Sequence, residues 1–120
     1  WKVYLSREMI GAFQVSRAGW IGDYEDPNTF LDTMRPNRGN NKTRWDNYEF
    51  DGLLAKANAT LDQEERYKIL MEAERLLIDE MPIAPIYTYV RVYQLHEDVK
   101  GWYPNILSHH HPKYIRIERD

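Results

Sequence analysis

Cysteine is absent from all 120 residues, which excludes disulfides, thiolate catalysis and thiolate metal sites. The absence does not identify a compartment, because an oxidising space permits disulfides without requiring them. Long apolar runs are also missing. The longest mostly apolar stretch, MPIAPIYTYV from Met81 to Val90, contains two prolines and is far short of the roughly 20 residues a bilayer-spanning helix needs. Charge of one sign is not in excess: 16 Lys and Arg face 19 Asp and Glu, for a net charge of −3. The two signs are interspersed, so no basic stripe exists to meet nucleic acid, and none is expected as a partner. No repeat or low-complexity tract occurs. The chain opens at Trp1 with neither an initiator Met nor a signal-peptide pattern, and the expectation is a trimmed piece of a longer polypeptide.

What is present suits a globular chain. Hydrophobic content of 42% and charged content of 29% are ordinary for one domain or part of a larger one. WKVYL (residues 1–5) and FQVSRAGW (13–20) are rich in β-branched and aromatic residues and predict short strands. Asp26-Pro27 has the form of a helix start, and a short helix is expected from about Pro27 to Met34. RPNRGNNKTRWDN has the composition of a surface loop. Phe50, Leu53, Leu54 and Ala57 then follow a helical spacing. A second helix begins at Asp62, with Glu65 completing a capping arrangement, and turns Leu70, Ala73, Leu76 and Leu77 to a core. Pro82 and Pro85 end it.

From Ile86 to Leu95 apolar and aromatic residues alternate, placing Tyr87, Tyr89 and Tyr93 on one face of a predicted strand. KYIRIER near the end predicts another. Strands, helices, strands: the class is mixed α/β (α+β). The sheet is thin for a complete domain, and partner strands are expected elsewhere.

RAGWIGDYEDPNTFL, from Arg17 to Leu31, contains the most suggestive chemistry. Asp23 could accept hydrogen bonds from an ammonium ion in a cleft walled by Trp20 and Tyr24, which is worth roughly 1.5–3 kcal/mol net. It could equally brace its own turn, and on residue types alone that role has the better claim. Asp23, Glu25 and Asp26 could also supply the acid and base of a hydrolase if their pKa values were pushed apart. His96 and the run His109–His111 offer imidazoles for a metal. Adjacent residues of an extended chain point in opposite directions, however, so a polar turn is the expected role of the run. For Arg17, Trp1 and Trp20, core and ligand-facing roles both stay open.

Several segments together resemble a known family. WKVYL, RAGWIGDYEDPNTFLDTM, YEFDGLLAKA, ERYKILMEAERLLIDEMPIAPIYTYV and VKGWYPNILSHHHPKYIRIE are similar to the carboxy-terminal part of the periplasmic oligopeptide-binding proteins, the solute receptors of peptide ABC importers. The GW-x-x-D-Y-x-x-P block, from Gly19 to Pro27, is the most specific part. The resemblance implies a fragment of a two-lobed periplasmic-binding-protein-like fold that closes on peptide at the lobe interface. Residues 1–85 would belong to one lobe, and residues 86–120 to a hinge-crossing strand and a segment returning to the other.

The same resemblance assigns Asp23 to the peptide α-ammonium group and Arg17 to the region of its carboxylate. It places Trp1 and Trp20 in side-chain pockets and Tyr89 near the crossing strand at the cleft, and Tyr24, the other wall of the cleft considered above for Asp23, joins them as a candidate ligand-binding residue. It implies a peptide ligand and membrane ABC permease subunits as partners, a periplasmic location with the parent free or lipid-anchored, and no cofactor, metal or catalytic residue. Two departures bear on ligand choice. Glu8 stands where some members carry a basic residue, and Ile21 where relatives can be smaller or more polar. The broader family includes receptors for nickel and haem complexes, which keeps a metal-complex receptor as an alternative; Asp23 argues for a free amine instead.

Overall fold

Asp62 and Asn47 set the two helices that organise the first half of the chain. The computed structural model describes residues 1–36 and 39–119. Two compact units, Trp1–Pro85 and Ile86–Asp120, are taken in turn.

In the first unit, helix α1 runs Lys2–Ile10, α2 Asn28–Leu31, α3 Tyr48–Ala59 and α4 Gln63–Glu80, with a 3-10 turn over Asp32–Met34 after α2. The Asn47 side chain accepts from the Phe50 amide at 3.0 Å, and Asp62 accepts from the Glu65 amide at 2.8 Å. Each satisfies one of the amides a helix start leaves without an intrahelical partner. Met81 closes α4 in the left-handed region, at φ 53°, and Pro82 cannot continue it.

The core is assembled on this α3–α4 hairpin. Phe50, Leu54 and Ala57 of α3 meet Ile69, Leu70, Ala73 and Leu77 of α4, and Leu31 and Met34 close over them. Trp45, Leu53 and Leu76 pack at the margin. Glu80 ties the preceding loop to the end of α4, accepting from the Trp45 indole and from the Asn47 side-chain Nδ2, both at 2.6 Å.

Two of the expected strands are not formed here. Residues 2–5 lie in α1, a helix instead of a strand, with Trp1 just before it, and 13–20 have no regular structure. Tyr4 and Glu8 explain the first. They stand one helical turn apart, and the Tyr4 hydroxyl donates to Glu8 Oε1 at 2.6 Å. Gly11, at φ 69°, then stops the helix: its amide bonds the Glu8 carbonyl at 3.1 Å, and that of Ala12 reaches Arg7 at 2.8 Å. This is the six-to-one, five-to-two pairing in which a left-handed glycine terminates a helix. A β-branched, aromatic composition had suggested a strand, but the glycine stop and the i,i+4 pair decide the local structure.

The second unit holds a two-residue antiparallel ladder. Strand β1, Val99–Lys100, pairs with β2, Arg116–Ile117, in the register Val99 with Ile117 and Lys100 with Arg116. Gly101 permits the reversal: at φ 79°, an added Cβ would lie 1.8 Å from the Tyr114 carbonyl oxygen. The expected last strand is therefore present, in short form. Ile86–Leu95 is exposed and carries no strand pairing among the described residues. A strand is stabilised by its neighbour's backbone, and the described residues supply none. Its alternation does survive locally, since the Tyr87 and Tyr89 rings meet edge to face at 4.9 Å.

Candidate functional site

The segment from Trp20 to Leu31 is where two carboxylates, Asp23 and Asp26, acquire different environments. Asp26 has the structural task. Its Oδ1 accepts from the Asn28 amide at 2.9 Å, and its two oxygens accept from Arg66 Nη1 and Nη2 at 2.7 and 2.8 Å. The parallel pair of bonds from a planar guanidinium is the strongest arrangement available to a carboxylate. Arg66 lies in the first turns of α4, so the fork fastens the turn to the helical hairpin. The Arg66 hydrogen bonds hold the Asp26 carboxyl below its ordinary range, against a smaller opposing effect of burial.

A hydrolase using this cluster would need one acid raised toward neutrality. Asp26 is shifted the other way and is engaged by Arg66, so it is not that acid.

Asp23 is treated differently. Its backbone amide donates to the hydroxyl of Thr29 at 2.9 Å, while its side chain is exposed. Among the described residues no hydrogen bond or ion pair engages the Asp23 carboxylate. The turn-bracing role considered for Asp23 thus falls to Asp26. In the same segment Trp20 and Tyr24 are 42% and 46% exposed, which leaves ring surface open to solvent. The Tyr24 hydroxyl accepts from the Asn28 side-chain amide at 3.3 Å. Gly22 is closely packed: a Cβ there would stand 3.0 Å from the Thr29 methyl and 3.3 Å from the Phe30 ring.

Arg17 and Trp1 lie elsewhere in the first unit. Trp1 precedes α1 and is 86% exposed, stacked at 5.1 Å on Tyr4. Arg17 is exposed, and its carbonyl oxygen lies 2.7 Å from the Tyr4 hydroxyl oxygen, sharing with Glu8 Oε1 the one proton that hydroxyl can donate. Ser16 donates to Glu8 Oε1 at 2.8 Å. Glu8, the acidic departure noted above, is therefore engaged in tying residues 16–17 to α1. Tyr89 is 62% exposed in the second unit.

The histidines do not converge. His110 stacks on Trp102 at 4.4 Å, with Tyr93 on the same indole at 4.0 Å. His111 meets the Tyr114 ring edge, and the His109 backbone is clipped by Asn105 at 2.9 and 3.0 Å. Among the described residues, no three His, Asp or Glu groups gather as a metal site would require. Sequence reasoning missed the contributions of Thr29 and Arg66. No signal within the turn could have pointed to Arg66, which is 40 positions from Asp26.

No protein-family model matches the chain. Among curated proteins it is 42% identical over 102 residues to the oligopeptide-binding protein OppA of Bacillus subtilis, covering 84% of this chain and 19% of that one. Among solved structures, the unliganded open form of the periplasmic murein tripeptide binding protein MppA matches with a TM-score of 0.80 and 34% identity, over 98% of this chain and 23% of that one. OppA of Burkholderia pseudomallei matches with a TM-score of 0.88 and 28% identity, over 98% of this chain and 24% of that one. The chain therefore spans about a fifth of the length of the curated relatives it matches.

Proposed function

We propose, on the premise that this chain belongs to the periplasmic oligopeptide-binding protein family, that it supplies the amine-recognising wall of a peptide receptor serving an ABC importer. The observation that supports this reading is the division of labour within one turn. Asp26 is spent on Arg66 and the Asn28 amide, and the Asp23 carboxylate is left exposed in a segment whose Trp20 and Tyr24 are also partly exposed.

An exposed carboxylate with an immobilised backbone is suited to an ammonium group. It provides charge and acceptor atoms without reorganising, and the flanking rings add a flat apolar wall that tolerates many side chains. A charge-assisted bond of this kind contributes roughly 1.5–3 kcal/mol. Main-chain hydrogen bonds to an extended peptide would supply the remainder of the about −8 kcal/mol that micromolar binding represents.

In this reading Arg17 meets the peptide carboxylate, Trp1 and Trp20 line side-chain pockets, and Tyr89 lies near the crossing strand. Residues 1–85 belong to one lobe, and residues 86–120 form a hinge-crossing strand and a segment returning to the other. The chain then acts as a binding component in the periplasm, with the permease subunits of the importer as its protein partners, and catalyses nothing itself. The isolated 120 residues would contribute only part of the cleft and would bind peptide weakly.

The test is Asp23→Asn in a polypeptide that carries this segment within a chain of the relatives' length. Calorimetric titration with a tripeptide and its N-acetylated counterpart should show a loss of about tenfold or more for the free amine. Little change is expected for the acetylated form. Equal losses for both would refute the role given to Asp23.

A further inference from the structure

We infer that Thr29 is a positioning residue for the Asp23 carboxylate, and that selectivity for a free amine depends on the Thr29 hydroxyl; this rests on the amine-anchoring reading of Asp23. Thr29 and Asn28 are the buried polar residues among those described, at 4% and 8% exposure. A hydroxyl taken out of water without a partner costs on the order of 1–3 kcal/mol. At Thr29 the partner is the Asp23 amide, six positions earlier in the chain.

That bond bears on what the Asp23 side chain is free to do. Aspartate carboxylates readily hydrogen-bond their own or nearby backbone amides. With its amide already bonded to Thr29, Asp23 lacks that nearest competitor, and its carboxylate remains available at the surface. Both branches of Thr29 contribute. The oxygen receives the Asp23 N–H, and the methyl lies under Gly22, where an added Cβ would come within 3.0 Å of it. Asp26 and Arg66 hold the same turn from the outside and fasten it to α4.

The two branches allow a clean separation. Thr29→Val keeps the shape and removes the oxygen. Thr29→Ser keeps the oxygen and removes the methyl. The readout is the ratio of affinities for a free-amine tripeptide and its N-acetylated form, measured by calorimetry in the same long polypeptide, with thermal unfolding followed alongside. Packing loss alone weakens both ligands together and leaves the ratio unchanged.

Thr29→Val should lower the ratio by about fivefold, while Thr29→Ser should keep it within about twofold of the parent. A parental ratio in Thr29→Val, or a loss in Thr29→Ser as large as in Thr29→Val, would overturn the inference. If Thr29→Val unfolds below the assay temperature, Thr29→Ala against Thr29→Ser decides instead. The two differ only in the hydroxyl, and Thr29→Ala should show the lower ratio; equal ratios in the two overturn the inference. Asp23→Asn separates the two levels. If it leaves the ratio unchanged, the anchoring role itself fails. If it collapses the ratio while Thr29→Val does not, only the positioning role fails.

Discussion

Between Pro85 and Ile86 the chain passes from a unit that closes an apolar core to one in which no described residue is buried. Trp1–Pro85 closes Phe50, Leu54, Leu70 and their neighbours into a core, whereas in Ile86–Asp120 the described Ile86, Val90 and Val92 are 84%, 83% and 93% exposed. The apolar content is similar in kind; what differs is where the partner lies. Helices α3 and α4 are adjacent in sequence and bury each other's stripes, so the pattern is satisfied locally. The alternating segment from Ile86 to Leu95 needs the backbone of another strand, which local sequence does not provide.

The largest effect expected from this contrast is at Phe50, fully buried against Trp45 at 4.9 Å. Phe50→Ala should lower the unfolding free energy of the first unit by about 3–5 kcal/mol. Urea unfolding followed by helical circular dichroism would check it. A loss under about 1 kcal/mol would mean that the α3–α4 interface is not the main source of cohesion, and the contrast between units would fail.

A smaller effect is expected where the turn meets that core. The folded Asp26 carboxyl is held below its ordinary range by Arg66, so the folded state favours the ionised form. The resulting stability is fully present above the ordinary carboxylate pKa and is lost as pH falls through the lower, folded value. Asp26→Asn should therefore cost about 1.5–3 kcal/mol near neutrality. The gap between variant and parent should be flat above about pH 5 and shrink progressively below about pH 4. A gap that is constant down to strong acid would show that the Asp26–Arg66 pair does not couple the turn to α4.

The same contrast explains what the sequence revealed. The Asp62–Glu65 start of α4, the stripe of Leu70, Ala73 and Leu77, and the short helix after Pro27 were legible because each depends on residues a few positions apart. The α1 segment was misread because Val3 and Tyr4 weigh toward a strand, although Gly11 carried the opposing signal. At the candidate site, the residue types of Trp20, Asp23 and Tyr24 were visible. The assignment of bracing to Asp26 was only half visible: the Asn28 amide is a neighbour, but Arg66 and the Thr29 hydroxyl arrive through tertiary structure. Which of several clustered acids is left exposed is decided by such partners, and a linear pattern does not encode them.

The smallest effect is the most demanding test of the comparison. Val92, at 93% exposure, loses almost no burial when truncated, so Val92→Ala in the 120-residue chain should change stability by no more than about 0.5 kcal/mol. In a polypeptide of the relatives' length the expectation reverses. If Ile86–Leu95 pairs there as a strand, the β-branched side chain gains packing partners, and the same substitution should cost about 1 kcal/mol. A difference between the two contexts would locate the missing partner of this segment outside the 120 residues. A cost of about 1 kcal/mol in both would show that the segment already packs against something within the short chain. No cost in either would remove the tyrosine-bearing stretch from any structural role, leaving its alternation without a physical purpose.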